Sequence, residues 1–415
     1  MIPNRSVKSD TNIKLPISFI VFSLLALVVS QIILLANSSE LLAGQFRIPD
    51  IWMSAHFLLL GFAAMVAMGA MYQLVPVVFL TPIWNEKFGF IQFFVTASGI
   101  TSFAVLLGYK PNIAIIGAIL AVIGVMMFIV QMTKTLMKRT NKTVNYYFVI
   151  TAIFCLFLTI VAGFILTWNF ALGGGNNHNS ILYSHIALGV SGWFTLLIFG
   201  FSYKLIPMFS LAHGFSMKWV RSAFFTYITG LTILIISFWV NNQVVSVLGW
   251  LLLFSGFLFF ALDVKDILKN RLRRKLDKSL TFSIFAIRNG LVIHFLFLLV
   301  SILGEISSGL WSWLIFLYIM GWIIFSILGY LYKIVPFLWW THKYSERIGK
   351  ENVPTLKDMI NEILSVVLFS LFTIAILGII VGVLLHNGVL VFIFLGLLTA
   401  TSFVYAFSII QVLLQ

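Results

Sequence analysis

Seven histidines stand in a chain otherwise poor in groups that bind metals or move protons. Three of them, His56, His185 and His294, fall inside long apolar runs. A ligand-type side chain inside a membrane is costly, and such residues tend to be functional. Neutral imidazole is a common ligand of haem iron and of copper. His56 and His185 lie a few residues below one end of their runs. His294, on a run of opposite direction, lies nearer the middle. All three therefore fall in the middle or outer part of the same bilayer, as one site or two neighbouring sites require. The competing reading of each is a hydrogen-bonded residue of helix packing. His178 and His386 fall in loops at the outer end, and His213 and His342 in loops at the inner end.

These residues need rigid elements to hold them, and the composition says what kind. The chain is 61% hydrophobic and 9% charged, with a mean hydropathy of +1.08. A soluble domain has about 25% charged residues. Twelve apolar runs are each long enough to cross roughly 30 Å of hydrocarbon. They cover about 16–37, 51–79, 87–108, 112–136, 144–170, 180–209, 218–240, 244–267, 281–304, 310–340, 357–384 and 389–413. The predicted fold is an all-α polytopic membrane protein, with residues 1–415 forming one integral membrane domain.

A repeated motif organises the twelve. The second, sixth and tenth runs carry Gly61, Gly69, Tyr72 and Pro76; Gly192, Gly200, Tyr203 and Pro207; and Gly321, Gly329, Tyr332 and Pro336. The pattern is Gly, aromatic, six residues, Gly, two residues, Tyr, a polar residue, Leu or Ile, Val or Ile, Pro. The tyrosines are 131 and 129 residues apart. Such a period predicts three pseudo-threefold four-helix repeats, 16–136, 144–267 and 281–413. Within a motif, the glycines and the tyrosine share one side of a helix. Small residues there let helices approach closely in lipid, and the proline stops or bends the helix. The plain reading of the motif is a packing seam.

The repeat frame also constrains the histidines. His56 is 16 residues before its motif tyrosine, and His185 is 18 before its own. On ideal helices the two point about 200° apart. Either both face the seam between the second and sixth helices, or both face the tenth from opposite sides. The tenth has Leu314 and Phe316 at the equivalent positions and offers no imidazole.

Charge sets the orientation. Arg5, Lys8 and Lys14 precede the first run. Lys134, Lys138, Arg139 and Lys142 join the fourth and fifth. Lys265, Lys269, Arg271, Arg273, Arg274, Lys275 and Lys278 join the eighth and ninth, and His342, Lys343, Arg347 and Lys350 the tenth and eleventh. The alternate loops are nearly bare. The positive-inside rule puts both termini in the cytoplasm of a multi-pass cell-membrane protein. The net charge of +14 then belongs to a rim facing anionic lipid and calls for no nucleic acid. The first run is too long for a cleaved signal and is expected to remain as a helix. The single Cys155 excludes a disulfide framework and a cysteine metal site. Glu305, Asp263 and Glu362 fall at run ends, which speaks against proton pumping. Arg288, within the ninth run, is expected to snorkel to the inner surface.

Twelve helices, cytoplasmic termini, three four-helix groups and a histidine near the outer end of the second helix resemble subunit I of the haem–copper oxidases. The stretch His56-x15-Tyr72-x3-Pro76 is similar to a His…Tyr-Tyr-Phe-x-Pro stretch of the C-type oxidases, there on the sixth helix. The resemblance implies that His56 ligates a b-type haem, and that His185 corresponds by helix to a copper ligand. His185 and His294 would contribute to the same or a neighbouring metal site. His386, on the outer side, is the candidate second axial ligand. The seventh and tenth runs lack the histidines that oxidases carry there. The chain is therefore closer to divergent relatives such as the NnrS family, which bind haem and copper and are linked to nitric oxide stress. It is not expected to be a complete oxidase on its own. The reading is a haem- or copper-binding membrane protein of respiration or nitric oxide tolerance, in contact with lipid and open to a partner subunit or homo-oligomer. The alternative is a permease for a small solute, with the histidines lining its path.

Overall fold

The computed structural model describes residues 11–138, 144–272, 275–304 and 308–415. Arg5, Lys8, Arg139, Lys142, Arg273, Arg274 and Glu305, which entered the charge argument, lie outside the described residues. Among the described residues the chain is helical and forms no strand. Twelve helices are long and apolar enough to cross a membrane. They are α1 (Lys14–Ala36), α2 (Pro49–Phe79), α3 (Glu86–Tyr109), α4 (Ile115–Met137), α5 (Val144–Leu172), α6 (His178–Ser210), α7 (Val220–Val240), α8 (Gln243–Lys269), α9 (Lys278–Leu303), α10 (Gly309–Arg347), α11 (Glu362–Leu384) and α12 (Gly388–Leu414). The chain is an all-α, multi-pass membrane protein.

The apolar runs match these helices closely, except at the junction of α10 and α11. Helix α10 continues past Pro336, so His342 lies on its last turns and not in a loop. Helix α11 begins five residues later than its run because local polar groups break the chain first. The Thr355 amide and hydroxyl both donate to Asp358 at 2.8 Å, which holds that carboxyl below its usual range. The Asn361 side chain then accepts from the amides of Ile363 and Leu364 and caps α11.

Helices α2, α6 and α10 form the centre. Their apolar windows are 78%, 89% and 83% buried, against 33–50% for the other nine. These are the three motif helices, and each contains a π-helical segment: Phe57–Ala64, Leu188–Thr195 and Tyr318–Ile324. A π segment bonds i to i+5, widens the turn and re-aims the side chains around it. Three such segments before three motif tyrosines carry the repetition into the backbone.

The motif glycines work as the sequence implies. A Cβ on Gly61 or Gly69 would lie 2.7–2.8 Å from Cβ of Ala26 or Phe19 on α1. One on Gly192 or Gly200 would lie 2.8–2.9 Å from Cβ of Cys155 or Phe148 on α5. On Gly329 it would run into the Ser283 hydroxyl and come 3.0 Å from the Ser283 amide of α9. In each third of the chain, then, the motif helix lies against the first helix of its own group. Gly321 is looser, with only Ile293 Cδ1 at 3.4 Å.

Each motif tyrosine is buried, and its hydroxyl is anchored to a flanking helix. Tyr72 donates to Gln92 at 3.0 Å, Tyr203 donates to Asp263 at 3.1 Å, and Tyr332 pairs with Ser408 at 2.5 Å. In hydrocarbon an unpaired hydroxyl is costly, so these bonds help set the depth of one helix against the next. The prolines act unequally. After Pro76 and Pro207 the helix stops at Leu80 and Leu211, both in the left-handed region, with Thr81 and Ala212 amides donating to the proline carbonyls. After Pro336 the helix continues to Tyr344.

Candidate functional site

His56 and His185 meet across the seam between α2 and α6. Their ring centroids are 6.5 Å apart and their planes differ by 29°. Each histidine lies seven residues after the first residue of its helix, about 10 Å of helical rise below that end. His56 is the last residue before the π segment of α2, and His185 lies three residues before that of α6. Of the two orientations compatible with the residue offset, the structure adopts the seam between α2 and α6.

Hydrogen bonding gives both rings the same polarity. His56 Nδ1 lies 2.7 Å from the Trp52 carbonyl, one turn back on α2. His185 Nδ1 lies 2.9 Å from the Thr159 carbonyl on α5. A carbonyl only accepts, so in each ring Nδ1 carries the proton and donates. Nε2 is then a bare lone pair in the neutral tautomer. A carbonyl on Nδ1 is the usual outer-shell support of a metal-binding imidazole, because it fixes both the tautomer and the ring orientation.

The neighbouring groups are shaped around the pair. A Cβ at Gly163 of α5 would sit 2.8 Å from His185 Cε1, so glycine is needed for the ring to lie there. Phe103 of α3 meets His56 edge-on at 5.0 Å. Trp52 and Phe170 stack at 5.1 Å, and His178 meets Phe170 at 5.8 Å. The two imidazoles are only half-buried. Each ring is therefore partly accessible, with Phe103 against the ring of His56.

His294 belongs to a different place. It is fully buried on α9, and its Nδ1 donates to the Gly290 carbonyl at 2.7 Å. Its Nε2 faces the hydroxyls of Tyr227 and Tyr318, both at 3.2 Å, and these are 3.1 Å from each other. The network continues from Tyr318 to Ser191 at 3.2 Å and Thr195 at 3.0 Å, and the Trp322 indole donates to Thr195 at 3.0 Å. Every member sits on α6, α7, α9 or α10. His294 is thus tied into a satisfied polar network, and no group of three or more His, Cys, Asp or Glu gathers among the described residues. His386 stands exposed on the turn before α12 with a φ of 49°. It makes no hydrogen bond or ring contact with His56 among the described residues.

The chain matches no known protein-family model and no curated protein. Chemistry is therefore read from the site itself.

Sequence reasoning names His56 and His185, which the structure brings together, and misses the groups that hold them. The Trp52 and Thr159 carbonyls, Gly163 and Phe103 carry no signal that a single chain displays. Tyr227 and Tyr318 do carry one, since a phenol within an apolar run needs a partner, and each lies on one of the two helices where the oxidase comparison looks for histidines.

Proposed function

We propose that the chain is a cell-membrane metalloprotein related in architecture to oxidase subunit I, with His56 and His185 as paired ligands of one metal group. A b-type haem is the first assignment and a copper ion the second. The observation that carries the reading is the pair of Nε2 atoms left bare by two Nδ1–carbonyl bonds, on rings 6.5 Å apart. Two neighbouring neutral imidazoles, each with Nδ1 engaged, are a donor set that would suit iron or copper. The aromatic lining of Phe103, Trp52 and Phe170 favours a planar, apolar group over a bare ion. His386 and His294 fall outside this set, the first for its exposed turn and the second for its phenol partners.

A haem held by His56 and His185 would supply one-electron chemistry. The protein's part is to hold the ligands neutral and aligned. Trp52 and Thr159 keep the proton on Nδ1, Gly163 admits the His185 ring, and the apolar surround excludes water. The absence of histidine from α7, and from α10 before His342 at its inner end, argues against oxygen reduction at oxidase-like rates by this chain alone, and respiration or nitric oxide tolerance fits a site that exchanges electrons. The basic loops on the face of both termini support a cytoplasmic assignment of that face, which puts the histidine pair toward the outside in this reading. Purification from haem-replete cells, a reduced-minus-oxidised spectrum and iron and copper analysis test the proposal. One b-type haem per chain is expected. Copper at one per chain without haem moves the assignment to the ion, and neither metal removes it.

A further inference from the structure

Helix α9 turns one face outward along most of its length. Thr281, Phe285, Arg288, Val292, Phe295 and Leu299 are all exposed, spaced alternately by four and three residues. The stripe lies at the perimeter between α8 and α11, which touch α9 through Phe254–Phe295 at 5.6 Å and Phe282–Phe369 at 4.3 Å. Most of it is what a lipid-facing helix shows. Arg288 is not. It is ten residues past Lys278, where the helix begins, about 15 Å along the axis at 1.5 Å per residue. The helix is about 9 Å longer than a hydrocarbon core of about 30 Å, so Arg288 stands roughly 10 Å inside that core.

The guanidinium has no hydrogen bond or ion pair among the described residues, while its neighbour Asn289 turns inward and donates to the Gly321 carbonyl at 3.3 Å. Charged residues at such depth normally face a bundle interior and pair with an opposite charge. Snorkelling toward the basic face shortens the depth but leaves five donors without acceptors along an apolar stripe. Among the described residues, a second copy of this chain offers no free carboxylate at that depth. Among the described residues its acids near the helices lie at helix ends or are already engaged: Asp263 accepts from Tyr203 and the Trp219 amide, Asp277 pairs with Lys333, and Glu362 opens α11.

We infer that this face of α9 seats a transmembrane helix of a different subunit, one that carries an aspartate or glutamate at the depth of Arg288. Spacing by three and four is that of one helix face, and a single charged pair within such a face sets register and partner choice.

The test uses the full-length protein, donor-labelled at its C-terminus, in phosphatidylcholine vesicles with acceptor-labelled transmembrane peptides. These are leucine–alanine helices of about 20 residues with Glu, Lys or Leu at the centre. The wild type is expected to bind the Glu peptide about tenfold more tightly than the Leu peptide, the size of one interhelical polar pair in lipid. Arg288→Leu should remove that preference, Arg288→Lys should keep part of it, and Arg288→Glu should transfer it to the Lys peptide. Unchanged helicity and elution of the variants confirm that they fold. No preference in the wild type, or the same preference in Arg288→Leu, overturns the inference. So does energy transfer between two protein copies that depends on Arg288, or phosphatidylglycerol that displaces the Glu peptide from the wild type, since these assign the face to a second copy or to a lipid headgroup.

Discussion

Two histidine sites lie at similar depth in this bundle and have opposite chemistry. In the seam between α2 and α6, the half-buried rings of His56 and His185 lie 6.5 Å apart, and Nε2 of each has no hydrogen-bond partner among the described residues. Among α6, α7, α9 and α10, His294 is fully buried and its Nε2 is met by two phenols. All three donate Nδ1 to a backbone carbonyl, so the difference lies wholly at the other nitrogen. A protein spends phenols and hydroxyls on a histidine whose role is to hold helices together. It leaves open the lone pair of one that is to bind something else. Depth and residue type alone do not separate the two cases, and the partners do.

Substitutions break or sharpen this contrast. The largest effect is expected at the open pair. His56→Ala and His185→Ala should each lose the bound metal group almost completely, while the metal-free proteins keep their thermal stability within about 1 kcal/mol, because half-buried side chains that bond only through Nδ1 hold little structure. His294→Ala should do the reverse. It removes the shared acceptor of Tyr227 and Tyr318 and opens a cavity, costing about 3 kcal/mol in detergent unfolding, with the metal content unchanged. If His294→Ala empties the site as well, the two regions are one.

The glycine motif provides a smaller contrast. Gly329→Ala should destabilise by about 2 kcal/mol, because the new methyl meets Ser283 hydroxyl and backbone and the seam with α9 must open. Gly321→Ala should be within about 0.5 kcal/mol of wild type, because its Cβ finds only a flexible Ile293 methyl at 3.4 Å. Equal effects at the two positions would show that the motif acts through helix propensity and not through packing. Between these lies Tyr332→Phe, which loses one bond to Ser408 and should cost about 1 kcal/mol. All are read from melting midpoints of purified protein at fixed detergent and pH.

Much of this fold is legible in the sequence, because a membrane span is a matter of length and apolarity. The α10–α11 junction is misjudged where Thr355, Asp358 and Asn361 decide the boundary, since local hydrogen bonds override hydropathy there. The Gly and Tyr positions of the motif are legible because close approach and a buried phenol each demand a residue type. The three π segments are not legible. They arise from packing of the central helices, and Phe57–Ala64 reads like any other apolar turn. Their presence is also why angular reasoning on ideal helices leaves the direction of His56 and His185 open. For His294 the type is readable and the role is not, because its role is set by Tyr227 and Tyr318 from helices distant in the chain.

The central claim is that His56 and His185 hold one metal group together and His294 does not. Reduced-minus-oxidised absorption spectra of the wild type, His56→Ala, His185→Ala and His294→Ala, purified in parallel from haem-replete cells, test it most directly. The account predicts the same b-type difference spectrum in the wild type and His294→Ala and its loss in both other variants. A spectrum retained in full by His56→Ala and His185→Ala, or lost only in His294→Ala, would contradict it.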